Sequence, residues 1–114
     1  MDKPIFNLIA LKDAKDFITS LPEKVQDKVL YNIRKVRFGV KDKDLFKKLG
    51  NTEIWEFRTT WQGMAYRLFA FWDKEEDTLV IATHGIIKKR QKTPKNEIEK
   101  AEAIRKEWFN NKKK

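Results

Sequence analysis

Three apolar runs separated by two short polar segments fill residues 53–85, and they restrict the possible folds more than any other stretch of the chain. The runs are EIWEFRTT, MAYRLFAFW and TLVIATHG, with WQG and DKEED between them. Aromatic and β-branched runs joined by short polar turns are typical of an antiparallel meander. Residues 64–72 are apolar on both faces except at Arg67, which predicts that this run is the central strand.

The segments outside this meander predict one further strand and three helices. Residues 4–11 are almost continuously apolar, as is typical of a strand inside a sheet. Apolar residues at helical spacing follow in 13–21 and in 23–38, and their short connection predicts an αα-hairpin. A last helix is predicted from residue 94 onward. This order predicts an α+β fold with the helices on one face of a mostly antiparallel sheet.

Three side chains are predicted to cap these helices. Asp13 is expected at the start of the first helix. Ser20 precedes Glu23 by three residues, which is the spacing of a capping box and predicts the start of the second helix. Thr93 is predicted to be the N-cap of the last helix, with Pro94 in its first position.

The length of the chain, 114 residues, predicts a single domain over residues 1–110 with a disordered basic tail at 111–114. Residues 41–51 are predicted to be a polar connector between the helical hairpin and the meander. Lys47 and Lys48 are expected to project from this connector beside the first meander strand, unless they are simply part of a solvated surface.

The charge of the chain points to a polyanionic partner. It carries 26 lysines and arginines against 17 acidic residues, a net charge of +9, which predicts binding to nucleic acid. A lysine-rich soluble surface is the alternative. Cysteine is absent, which excludes disulfides and favours the cytoplasm. No apolar run approaches the roughly 20 residues of a membrane helix, so no membrane association is predicted.

The residue inventory excludes several kinds of active site. One histidine, no cysteine and no clustered carboxylates argue against zinc and magnesium sites, so no metal and no cofactor is predicted. The chain has no P-loop and no GxGxxG motif. Ser20 is the only serine, and its predicted capping role argues against a Ser-His-Asp triad. What remains is metal-independent phosphoryl chemistry on RNA, which supplies its own 2′-hydroxyl nucleophile.

Four residues are candidates for that chemistry. The guanidinium of Arg67 stays charged and can stabilise the charge that develops on phosphorus. His84, the only histidine, can exchange a proton near neutral pH. Lys88 or Lys89 can exchange a proton if neighbouring cations lower the pKa of its ammonium, and otherwise both hold the RNA backbone.

Each candidate also has an ordinary structural interpretation. Arg67 can form an ion pair with Glu53 or Glu56 across the strands, and an exposed pair of that kind contributes roughly 0–1 kcal/mol. A lone histidine at a strand end, such as His84, is more often hydrogen-bonded to the backbone than catalytic. The basic run 88–90 is compatible with a solvated loop.

Taken together, the motifs of this region resemble the RelE/ParE superfamily of bacterial type II toxins, and they are most similar to its HigB-like, phage-derived branch. The resemblance covers about residues 45–105. The matching motifs are W-E-F-R at 55–58, Y-R-L at 66–68, H-G-I-I-K-K at 84–89, T-P at 93–94 and a helical E-I-x-x-A pattern at 97–101.

The resemblance implies a RelE-like fold and a ribosome-dependent, metal-independent mRNA endonuclease that inhibits translation. It also implies a cognate antitoxin, expected to be of helix-turn-helix type. Arg67 would contact the scissile phosphate, and Lys88 or Lys89 would assist. Some members carry a lysine near the position of Glu56, which leaves the general base open. Further cations are expected to bind RNA: Lys47, Lys48, Arg58, Arg90 and Lys92.

Two other functions remain compatible with the sequence. The ParE branch shares the fold but poisons DNA gyrase by protein contact, without cleaving RNA. A non-catalytic RNA-binding module would also be basic, although it would be expected to expose more aromatic side chains for base stacking. The H-G and K-K motifs at 84–89 favour the nuclease branch.

Overall fold

A five-stranded sheet organises the computed structural model, which describes residues 3–76, 78–89 and 92–113. The strands, in chain order, are β1 (Asn7–Ala10), β2 (Phe46–Lys48), β3 (Trp55–Trp61), β4 (Met64–Trp72) and β5 (Leu79–Lys88). Their order across the sheet is β1-β5-β4-β3-β2. β2 to β5 pair antiparallel, and β1 runs parallel to β5. The predicted meander and the central position of β4 are confirmed.

The helices are α1 (Lys12–Ser20), α2 (Glu23–Arg37) and α3 (Lys95–Lys112). α1 and α2 follow each other as the predicted hairpin. Among the described residues, no helix has the length and apolar character that crossing a bilayer would demand.

The two faces of the sheet are covered by different helices. On one face, Leu68 and Ala70 of β4 pack into the core beneath α1 and α2. On the other face, Phe69 and Phe71 pack with Ala101 of α3. The expectation that all helices share one face is therefore wrong. The reason lies in β4 itself, because a strand that is apolar on both faces needs apolar cover on both.

The predicted helix caps differ from the observed ones. Within the described residues no N-cap side chain donates or accepts a capping hydrogen bond, and Leu11, Pro22 and Pro94 hold the N-cap positions. Asp13 lies inside the first turn of α1, because that helix begins two residues earlier than a cap at Asp13 implies. Ser20 ends α1 and donates a hydrogen bond to the Phe17 carbonyl (2.7 Å), one of the carbonyls that a helix end leaves unpaired.

The connector at 41–51 contains an edge strand that the sequence did not predict. Phe46–Lys48 pairs with β3, so that Lys47 lies opposite Glu56. The ring of Phe46 stacks on Phe57 with a centroid distance of 4.4 Å. The strand was missed because three residues that include two exposed lysines show too little alternation to be distinguished from a loop.

The C-terminal end of α3 includes residues 111 and 112 of the predicted tail, and residue 114 of that tail lies outside the described residues. The helix reaches Lys112, whose Nζ lies 2.6 Å from a carboxylate oxygen of Asp73. Asp73 is fully buried and also accepts a hydrogen bond from the indole of Trp108 (3.0 Å). Hydrogen bonds from both partners lower the pKa of Asp73, although its burial opposes them. These contacts hold residues 111 and 112 in the helix.

Candidate functional site

The basic residues of β3, β4 and β5 meet on the α3 face of the sheet around one carboxylate. Strand register explains why: Arg58 of β3 lies opposite Arg67 of β4, and Lys88 of β5 lies opposite Ala65, two residues before Arg67. Residues that are opposite each other or two apart along a strand share a face. Glu56, two residues before Arg58, is therefore on this face as well.

Glu56 is the centre of this cluster, and it is only 2% exposed. One carboxylate oxygen lies 3.4 Å from Nε of Arg67 and 3.6 Å from Nε of Arg58. The other oxygen accepts a hydrogen bond of 2.9 Å from the hydroxyl of Thr93. That hydroxyl in turn accepts a hydrogen bond of 3.0 Å from the ammonium of Lys88. One carboxylate thus contacts two guanidiniums directly and one ammonium through a hydroxyl.

The ion pair of Arg67 is with Glu56 rather than with Glu53, which contacts Lys74 instead (3.1 Å). The expectation that such a pair would be exposed is wrong, because Arg67 is also 2% exposed. Thr93, in the segment that precedes α3, contacts the carboxylate of this pair. A buried pair is held by stronger electrostatic attraction than an exposed one, and breaking it leaves an uncompensated charge.

Lys88 is 9% exposed, and its surroundings change its proton affinity. Burial lowers the pKa of its ammonium below the ordinary lysine value, and the charges of Arg67, Arg58 and Lys47 lower it further. The carboxylate of Glu56 opposes this by raising the pKa. Because burial is the largest of these effects, Lys88 gives up a proton more readily than a solvated lysine does.

A depression of about 360 Å³ opens above this cluster. Glu56, Arg58 and Thr93 line it, and the exposed side chains of Lys47 and Lys92 stand at its edge. The depression is therefore surrounded by positive charge. Glu56 is the only carboxylate among its lining residues, and it is already paired with Arg58, Arg67 and Thr93. An oligoanion such as an RNA backbone is the kind of ligand that this arrangement suits.

Not every predicted site residue joins this cluster. Lys48 is exposed and points to the opposite face from its neighbour Lys47, because side chains alternate along β2. Lys89 is exposed just beyond the end of β5. Arg90 lies outside the residues that the structure describes.

His84 lies beneath the first turns of α3 and is 3% exposed. Its Nε2–H donates to a carboxylate oxygen of Glu97 (3.2 Å), so the neutral ring accepts at Nδ1 from the Thr83 hydroxyl (2.9 Å). Its ring also packs on Phe69 at 4.8 Å. Burial and the charge of Lys100 lower the pKa of His84, against the opposing effect of Glu97. The imidazole therefore joins β5 to α3.

The lowered pKa of His84 predicts a pH-dependent stability. A neutral imidazole is favoured in the folded state, so its contribution is present above the unfolded pKa of about 6.5 and is lost as the pH falls through the lower, folded value. We expect wild type to lose more stability than His84→Gln between about pH 7 and about pH 5. Urea unfolding of both proteins across this range measures the difference, and a difference that does not change with pH would contradict the prediction.

Gly85, which follows His84, has a packing role. A Cβ atom at this position would overlap the ring of Phe17, so only glycine lets α1 approach β5 here. The H-G pair at 84–85 thus serves both faces of β5, with His84 directed to α3 and Gly85 to α1.

Comparisons with known proteins were consistent with the motifs. Residues 16–106 match the family model described as "Phage derived protein Gp49-like (DUF891)". The structure is similar to a chain of the toxin–antitoxin complex RelBE2 from Mycobacterium tuberculosis, with a TM-score of 0.50 and 18% identity. That match covers 75% of this chain and 100% of the other, and it confirms the predicted RelE-like fold. No curated protein sequence matches the chain.

Proposed function

Because the chain belongs to the Gp49-like family of phage-derived proteins, which is of the RelE/HigB type, we propose that it is the toxin of a type II toxin–antitoxin system. The similarity of its fold to a chain of the RelBE2 toxin–antitoxin complex supports this role. Its partner would be a cognate antitoxin, of helix-turn-helix type in the HigB-like branch, and its site of action the cytoplasm, where its target RNA is translated.

We further propose that the toxin cleaves mRNA on the ribosome without a metal ion. The observation that carries this proposal is the depression itself, which three cationic side chains and one engaged carboxylate line, with the ammonium of Lys88 hydrogen-bonded to Thr93 of the same lining. Lys47, Arg58 and Lys92 would hold the phosphates on either side of the cleaved bond. The 2′-hydroxyl of the RNA would be the nucleophile, so the protein needs no nucleophile of its own.

Lys88 is the residue that we assign to the reacting phosphate. Its lowered pKa suits a group that donates a proton to the leaving 5′-oxygen, and its charge offsets the charge that develops on phosphorus. In-line geometry would come from the ribosome, which holds the mRNA backbone in a fixed conformation. If the protein supplies the proton donor and the ribosome supplies the in-line geometry, cleavage would require the ribosome.

The remaining candidates take other roles in this proposal. Arg67 is buried beneath the depression. It would therefore not touch the phosphate, but would add positive charge to the site and hold Glu56 in place. His84 would position the first turns of α3 beside the depression. Lys48 and Lys89 would contact RNA outside the depression, and Arg90, which is not among the described residues, stays a predicted RNA-binding residue.

Translation in a purified system tests the proposal. The protein is added to ribosomes programmed with a defined mRNA, and cleavage is mapped by primer extension. We expect cuts in the translated region with ribosomes and none in naked mRNA. Relaxation or trapping of DNA by gyrase without mRNA cleavage would favour the ParE-like function, and RNA binding without cleavage would favour a non-catalytic module.

A further inference from the structure

The hydroxyl of Thr93 has a different position from the one expected for a residue before a helix. Pro94 is the N-cap of α3, its carbonyl accepts from the amides of Glu97 and Ile98, and the Thr93 hydroxyl makes no capping hydrogen bond. The Thr93 hydroxyl instead lies between the ammonium of Lys88 (3.0 Å) and the carboxylate of Glu56 (2.9 Å).

The direction of these two hydrogen bonds is fixed by the groups themselves. An ammonium can only donate and a carboxylate can only accept, whereas a hydroxyl can do one of each. The proton of the Thr93 hydroxyl therefore points to Glu56, and its oxygen accepts from Lys88. Because both partners are charged, each hydrogen bond is stronger than one between neutral groups.

This bridge connects three separate parts of the fold. Glu56 is on β3, Lys88 is the last residue of β5, and Thr93 is in the segment that leads to α3. Lysine has a flexible side chain of four methylene groups, and fixing it in one geometry requires a partner that is itself fixed. Thr93 is held in place by its hydrogen bond to Glu56, which is buried.

We propose that Thr93 is a positioning residue for RNA cleavage, whose hydroxyl couples Lys88 to Glu56 and thereby fixes the ammonium next to the lining of the depression. The inference rests on the proposed function, in which Lys88 acts on the reacting phosphate. Serine keeps the bridging hydroxyl, whereas valine keeps the shape of threonine and removes the hydroxyl.

The bridge also sets the proton affinity of Lys88. Among the residues that the structure describes, the groups that act on its ammonium include Glu56 and Arg58 from β3, Arg67 from β4, Lys47 from β2 and the Thr93 hydroxyl. Without that hydroxyl the charged form of Lys88 loses a hydrogen bond while burial and the three cations still act on it. Its pKa then falls further below the ordinary lysine value.

The test compares wild type, Thr93→Val and Thr93→Ser in single-turnover mRNA cleavage on programmed ribosomes. For Thr93→Val we expect a rate about 10–100 times lower at saturating ribosome concentration, the equivalent of one hydrogen bond to a charged group, with little change in the concentration needed for half-saturation. The cleavage rate also falls at alkaline pH, where Lys88 loses its proton. In Thr93→Val this fall should begin at a lower pH than in wild type. Thr93→Ser should restore both.

A second measurement does not depend on cleavage. Nuclear magnetic resonance of the Lys88 side chain reports its titration, and we expect a lower midpoint in Thr93→Val than in wild type and Thr93→Ser. If wild type cleaves but Thr93→Val matches it in rate and pH profile, the positioning role is wrong and the proposed function stands. If wild type leaves ribosome-bound mRNA intact, the proposed function fails, and the positioning role fails with it.

Discussion

Replacing Glu56 with alanine is expected to lower the free energy of unfolding by about 3–5 kcal/mol. The substitution removes the only carboxylate within 4 Å of Arg67 among the described residues, and Arg67 is 2% exposed. The guanidinium then remains charged at a buried position without a carboxylate partner. Arg58 and, through Thr93, Lys88 lose the same partner.

Urea unfolding followed by circular dichroism measures this effect, and the chain offers a matched control. Glu53 is also a glutamate with a cationic partner, but its contact with Lys74 (3.1 Å) is exposed. Glu53→Ala should change the free energy of unfolding by at most about 1 kcal/mol. Two equally small effects would mean that Glu56 is not the counter-charge of a buried cluster.

A compensating variant separates lost charge balance from lost packing. Glu56→Gln combined with Arg67→Met removes both charges while keeping similar side-chain volumes. Because it leaves no unpaired guanidinium at position 67 and keeps the side-chain volume at both positions, the double variant should be more stable than Glu56→Ala. A more stable double variant would mean that the charges of Glu56 and Arg67 depend on each other. Substitution of Arg67 alone would then unfold the protein and abolish cleavage together, so it would not test the role of Arg67 in activity.

The sheet was predictable from sequence because its signals are local. Three apolar runs with short turns predicted the meander, and the apolar character of both faces of β4 predicted its central position. The prediction that all helices share one face was wrong, because the placement of α3 opposite the hairpin depends on the connection after β5, which no local pattern encodes. β2 was missed because its pairing with β3 depends on register rather than on its own composition.

The candidate site was predictable residue by residue but not as an arrangement. Arg67 and Lys88 were predicted as site residues because each is a positive charge on or beside an apolar strand. Glu56 was considered only as an ordinary partner for Arg67, whereas the structure makes it the centre of the cluster. The role of Thr93 was hidden by its position before Pro94, which is typical of an N-cap. Both roles depend on which strands are neighbours, and that information is not local.

Lys88→Met is expected to have the largest effect on activity, a loss of about 10²–10³ in the rate of mRNA cleavage on programmed ribosomes. Methionine keeps the apolar length of the lysine stem and removes the ammonium that we assign to the reacting phosphate. The folded state should persist, because Arg58 and Arg67 still balance the charge of Glu56. Thermal unfolding of the variant checks that condition before the rate is interpreted.

Lys89→Met is the matched control for this prediction. It removes the same charge from the adjacent residue, which is exposed beyond the end of β5 instead of lying in the cluster. A solvent-screened contact contributes about 0.2–1 kcal/mol, so the cleavage rate should fall by about fivefold at most. Equal losses from both variants would indicate general attraction of RNA to a basic surface. A Lys88→Met protein that is folded and cleaves at the wild-type rate would remove Lys88 from the reaction.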